Sequence, residues 1–236
     1  MEVHGHTHTP RKKWTHYFWE FLMLFFAVFC GFLAEYQLEH MIEHQREKQY
    51  IRSLVNDIKS DIRQLEEIDK DWEEGLHAAD TLLKFLAEKD AYINSGPAFD
   101  LVYRATGFTD FVSNDGTIQQ LKNSGGLRLL RKSKIADSIM AYQKMVDRVT
   151  IKQAGMNDAQ QFMNRVTDLF DVINIVSATE KKNIPLLTRD SKAVNSAYTY
   201  ILQWEGEFIG LRIRGNETEE CGKRLLKTIH EQYGIK

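Results

Sequence analysis

The chain has 236 residues, of which 43% are hydrophobic and 27% charged, and its formal net charge is −2. This composition excludes a disordered chain, and so even a charge balance excludes nucleic acid as a default partner. The two cysteines, Cys30 and Cys221, form no CxxC pair for zinc or redox chemistry, and only three prolines leave room for long helices.

Residues 1–13 form a polar tail in which His4, His6 and His8 alternate. Alternating imidazoles can hold a divalent metal weakly, but the acidic partners and cysteines that sharpen a metal site are missing. The tail therefore reads as ordinary polar sequence.

Residues 14–35 read as a transmembrane helix. The run FLMLFFAVFCGFLA, residues 21–34, carries no charge. Residues 17–34 as a helix span about 27 Å, close to the hydrocarbon thickness of a bilayer. Trp14, Tyr17, Trp19 and Tyr36 stand at the ends, where aromatic belts form, and Glu20 can reach the headgroups. Six Phe from Phe18 to Phe32 lie all round the helix, which favours lipid over a protein core. A cleaved signal peptide fits less well, because Phe32 stands two residues before Ala34, where a small residue is wanted. A lipoprotein reading of Cys30 fails because the apolar run continues past it. The expected partner of residues 17–34 is thus the lipid bilayer. Arg11, Lys12 and Lys13 precede the span, and Arg46 and Lys48 are the first cations after it. The positive-inside rule then favours a cytoplasmic N-terminus and a helical domain outside the cytoplasmic membrane, which is periplasmic in a bacterial envelope.

Residues 36–236 read as one helical domain, with long helices at about 36–89, 133–178, 191–214 and 217–233. In the first, Ile51, Val55, Ile58, Ile62, Leu65, Asp69, Trp72, Leu76, Ala79, Leu83 and Leu86 repeat at alternating spacings of four and three. That is a coiled-coil or bundle seam with Asp69 out of character, and Gly75 allows a break. Early in this helix, His40, Glu43 and His44 spell H-x-x-E-H, the inverted zinc-peptidase signature. Both imidazoles fall one turn apart, so both could reach one metal with Glu43 as base. The context is wrong: those peptidases are large α/β proteins, and no third ligand can be nominated. A solvated helix face is the preferred reading, with zinc-dependent chemistry a remote alternative.

Asn94-Ser95-Gly96-Pro97 ends the first helix. Short helices are expected at 98–104 and 117–122, separated by a loop from Gly107 to Gly116. Lys122, Arg128, Arg131, Lys132 and Lys134 surround Ser124-Gly125-Gly126 and form a candidate site for a phosphate or lipid headgroup. The competing reading is a Gly-closed turn with its charges in water. The next seam runs Ile135, Ile139, Tyr142, Val146, Val149, Gln153 and Met156, slips in phase, and resumes at Ala159, Met163, Val166, Phe170 and Ile173. Val194, Ala197, Ile201, Trp204, Phe208 and Leu211 mark the third seam. Gly215 reads as its cap, and Asn216 with Glu219 as the capping box of a fourth helix. Tyr198, Tyr200, Trp204 and Phe208 could line an aromatic pocket, although Trp204 and Phe208 have the spacing of plain core.

The expected fold class is all-α: an N-terminal transmembrane helix continuing into an antiparallel bundle, or a coiled coil in which the first seam pairs between two chains. The segments YFWEFLMLFFAVFCGFLAEYQLEH, REKQYIRSLVNDIKSD and QQLKNSGGLRLL, with the leader MEVHGHTH, resemble a family of uncharacterised single-span bacterial membrane proteins of the Bacteroidota. The resemblance covers residues 1–62 and 117–131 most strongly. It implies an anchor and a helical domain, and no activity, cofactor or substrate. No hydrolase or dinucleotide motif is present, so catalysis and cofactors are not expected. The sequence points to a structural or interaction protein with a protein partner or a second copy of itself, or alternatively to a ligand-binding or sensory module.

Overall fold

The computed structural model describes residues 14–88, 93–130 and 133–235. The polar tail and its three alternating histidines lie outside the described residues. Among those described, the secondary structure is helical: α1 (Trp14–Ala87), α2 (Gly96–Thr106), α3 (Gly116–Asn123), α4 (Ser133–Ala154), α5 (Ala159–Thr167), α6 (Val172–Ser177) and α7 (Ser191–Tyr233), with 3-10 turns at Gly126–Leu129 and Gly155–Asp158. Contacts divide the chain into two units, Met1–Gln49 and Tyr50–Lys236.

In the first unit the apolar side chains stand in the open: Phe21 and Phe32 are each 65% exposed and Leu24 69%. α1 contains an 18-residue window of mean hydropathy 1.9, none of it buried, and is long and apolar enough to cross a membrane.

The second unit holds the core. All the α1 seam positions are buried except Asp69 and Leu76. Asp69 receives a two-pronged pair from Arg212 of α7, with Nε at 2.9 Å from Oδ1 and an Nη at 3.0 Å from Oδ2. A carboxylate on the flank of an apolar seam is thus matched by a planar cation that meets both its oxygens.

α1 is one unbroken helix of 74 residues, as the sequence reads it, and the break that Gly75 allows does not occur. The missing side chain there makes room for a ring: an added Cβ would lie 2.3 Å from Phe208 Cζ. The expected helix over 133–178 is interrupted. α4 stops at Ala154, and the phase slip after Met156 falls inside the 3-10 turn Gly155–Asp158 that leads the chain into α5. α5 then ends at Thr167, so Ile173 loses the register and is 82% exposed. Phe170 instead bridges to Leu186. Lastly, the helices expected at 191–214 and 217–233 are a single α7 of 43 residues, capped by Asp190, whose carboxylate accepts from Ala193 N, and ended by left-handed Gly234. Gly215 is no cap. It faces Trp72, whose Cζ3 would stand 2.7 Å from an added Cβ. The α7 seam runs on through Gly215, Thr218, Gly222, Leu225 and Ile229, all buried. Gly222 admits Tyr142, Ile62 and Ile58 at 3.1–3.3 Å from its virtual Cβ.

Candidate ligand cleft

Between α2 and α3 the chain crosses from Gly107 to Asp115 without regular structure. Backbone groups in such a segment need partners if they are to leave water. Side chains of two helices supply them. Along α1, Trp72 Nε1 donates to Thr109 O at 3.1 Å, and Asp71 Oδ2 accepts from Thr109 Oγ1 at 2.5 Å. About two turns earlier, Gln64 Oε1 accepts from Val112 N at 2.7 Å. Asp61 Oδ1 accepts from both Asn114 N and Asn114 Nδ2, at 2.7 and 2.8 Å. From α4, Gln153 grips Phe111 at both ends of its residue: Phe111 N donates to Oε1 at 2.8 Å, and Nε2 donates to Phe111 O at 3.2 Å.

Asp61 is the centre of this arrangement and is 1% exposed. Its second oxygen accepts from Tyr142 Oη at 2.8 Å. Burial pushes the Asp61 carboxyl above the usual carboxylate range, against the lowering effect of its hydrogen bonds from Asn114 and Tyr142. Burial also drives the Tyr142 phenol up, with the Asp61 carboxylate adding to it, so Tyr142 remains a donor.

The pinned segment, the start of α3 and one face of α4 border an open cleft of about 670 Å³. Among the described residues, three carboxylates, Asp110, Asp115 and Asp147, line it and no lysine or arginine does. Gln143 also lines it. Gln143 is 6% exposed, its Nε2 donates to Asp147 Oδ1 at 2.9 Å, and its Oε1 is buried without a donor. That orientation of the amide is fixed by Asp147, since the opposite one would set oxygen against oxygen.

The residues singled out from sequence lie elsewhere. His40 Nε2 stands 3.1 Å from Tyr36 Oη and its Nδ1 is 3.9 Å from Glu43, while His44 Nδ1 is 3.3 Å from Glu47. Each imidazole thus engages a neighbour along its own helix. Among the described residues no three His, Cys, Asp or Glu side chains gather as metal ligands would. In the basic block, Arg131 and Lys132 lie outside the described residues, and Arg128 and Lys134 are exposed while Lys122 is half-buried. Gly125 takes the left-handed conformation at φ 67°, and Gly126 packs on Leu121, as a tight turn requires. Of the aromatic group, Phe208 is fully buried, and Trp204 stacks on Phe162 with ring centroids 5.0 Å apart while its Nε1 donates to Ala105 O at 2.6 Å. Both are core. Tyr200 lies under Arg165, whose guanidinium carbon is 5.7 Å from the ring centre.

Sequence reading missed Asp61 and Gln143 and placed Gln153 in an apolar seam. A signal existed for Asp61. Leu54, Ile58, Asp61, Leu65, Ile68 and Trp72 form a second set at alternating spacings of four and three, with one carboxylate among apolar residues. Compared with protein-family models, with curated proteins and with solved structures, the chain finds no match.

Proposed function

We propose that this chain is a membrane-tethered, non-catalytic interaction protein of the bacterial envelope, anchored by residues 17–34 and presenting a helical bundle outside the cytoplasmic membrane. The observation that carries it is the exposed apolar stretch of α1. Removing side chains such as Phe21, Leu24 and Phe32 from water is worth about 2 kcal/mol each, and a bilayer of matching thickness removes them all. The cations at Arg11, Lys12 and Lys13 favour the orientation, and the resemblance of residues 1–62 and 117–131 to single-span bacterial proteins favours the setting.

An antiparallel packing of α1 and α7 is supported by their contacts. Gly75 meets Phe208, Trp72 meets Gly215, and Ile58 and Ile62 meet Gly222, so partners advance along α7 as they retreat along α1. A protein partner, or a second copy of the chain, is supported by apolar side chains left open on α7. Leu202, Ile209 and Ile213 are 51%, 44% and 50% exposed at helical spacings, with Gly206 open between them.

Topology tests this reading. Asn195 is exposed near the start of α7, and Cys221 is buried, so an Asn195→Cys variant gives one accessible thiol in the second unit. A membrane-impermeant maleimide is expected to label it in intact cells, with the parent protein as control. Labelling only after lysis puts the bundle in the cytoplasm and contradicts the proposal. A second reading, a ligand-binding module, is favoured by the cleft between the 107–115 segment and α4.

A further inference from the structure

We infer that the open face of α7 is a self-association surface, on which a second copy of this chain docks with its own α7 parallel and in register. The inference rests on the interaction reading and names its partner. The α1 seam that could have paired between chains is filled inside the bundle, and so is the inner seam of α7. A second copy therefore needs another seam, and α7 carries one. Thr199, Leu202, Gly206, Ile209, Ile213 and Asn216 follow one another at alternating spacings of three and four, and all are exposed. That is the pattern of a helix that pairs along its length, and from 199 to 216 it runs about 27 Å. Leu202, Ile209 and Ile213 supply the apolar surface, and Gly206 puts no side chain in the way. Asn216 penalises a slip of one heptad, which would set its amide against Ile209.

The charges beside the seam distinguish a second copy from a foreign protein. In a parallel pair, flanking residues on one helix face those five places further along the other. Here Glu205 comes opposite Gly210, Arg212 opposite Glu217, and Glu219 opposite Arg224. Two of these crossings join unlike charges and none joins like charges, so the face is complementary to itself. The Arg212 crossing also joins two clusters of opposite sign. Arg212 holds Asp69 and Glu73, a net charge of −1, while Glu217 holds Arg148 and Arg214, a net charge of +1. Arg224 is exposed and has no ion-pair partner among the described residues. A two-fold axis repeats each crossing on the other side of the seam.

Orientation follows from the anchors. Parallel α7 helices keep Tyr50, from which each chain leads back to its apolar stretch, at the same end in both copies. Two chains held in one membrane need that arrangement.

Disulfide cross-linking in membranes from cells making the full chain tests the inference, in a Cys30→Ser background that leaves buried Cys221 as the native thiol. A parallel pair in register sets every seam residue against its own counterpart. Leu202→Cys, Ile209→Cys and Ile213→Cys, made singly, are each expected to give a disulfide dimer on oxidation. Glu67→Cys, exposed on α1, is expected to give none. In detergent the parent chain is expected to sediment as two copies, and an Ile209→Glu, Ile213→Glu variant as one with the same helical content. Dimer from at most one of the three seam positions means another register or direction and overturns the inference. Glu67→Cys that cross-links as well as the seam positions, or a glutamate variant that still pairs, overturns it too. A parent chain that forms no dimer yet stays in membranes through carbonate extraction loses only this inference, and the interaction reading then stands on a different protein partner. Seam dimers in a chain that carbonate releases contradict anchorage and leave self-association in place.

Discussion

Tyr142 Oη donates to Asp61 Oδ2 at 2.8 Å, joining α4 to α1 inside the core, and the other Asp61 oxygen holds the 107–115 segment through Asn114. One carboxylate therefore ties together two helices and the wall of the cleft.

Because burial raises the Asp61 carboxyl, folding favours its protonated form. Its contribution to stability is fully present below the unfolded value, near 3.8, and is lost as pH rises through the folded value. Nearby Asp57 adds to the rise, while Asn114 and Tyr142 oppose it. Asp61→Asn keeps an acceptor for Asn114 and carries no charge. It is expected to flatten the fall in stability above pH 4 that the parent shows, read by urea unfolding across pH 4–7. Asp61→Ala strands the Tyr142 hydroxyl and the Asn114 amide and is expected to cost about 2–4 kcal/mol. Equal pH slopes for parent and Asp61→Asn would contradict the buried, raised carboxyl.

Gln153 is 8% exposed and pairs with both backbone groups of Phe111. Gln153→Ala leaves both unpaired and is expected to cost about 2–3 kcal/mol. Hydrogen exchange at the amides of Phe111 and Val112 is expected to speed up more than exchange in α7. Uniform acceleration would mean that the segment is held by something else.

Three glycines in helix interiors separate packing from propensity. Glycine in a helix normally costs about 1 kcal/mol relative to alanine. Gly206 has nothing within 4 Å of a virtual Cβ, so Gly206→Ala is expected to raise stability by about 0.5–1 kcal/mol. At Gly75 and Gly215 the virtual Cβ falls 2.3 Å from Phe208 and 2.7 Å from Trp72, so alanine at either is expected to cost about 1–3 kcal/mol. Thermal unfolding of the three variants checks the order.

The helical class and the apolar stretch were legible because both rest on periodicity and composition. The α7 seam was legible to Leu211 and then hidden, since Gly215, Thr218 and Gly222 continue it with small residues that no hydrophobicity pattern registers. Their meaning is set by Trp72 and Tyr142, far away in sequence. The cleft was less legible still. It depends on an irregular segment held by Asp61, Gln64 and Gln153, and each alone reads as a surface or seam residue until the segment is laid beside it.

Membrane anchorage by residues 17–34 is tested most directly by alkaline carbonate extraction of membranes from cells making the full chain. The chain is expected to stay in the membrane pellet, and a variant with Leu24→Lys and Phe29→Lys, which places two charges in the exposed apolar stretch, is expected to shift to the supernatant. Release of the parent chain by carbonate would contradict the account.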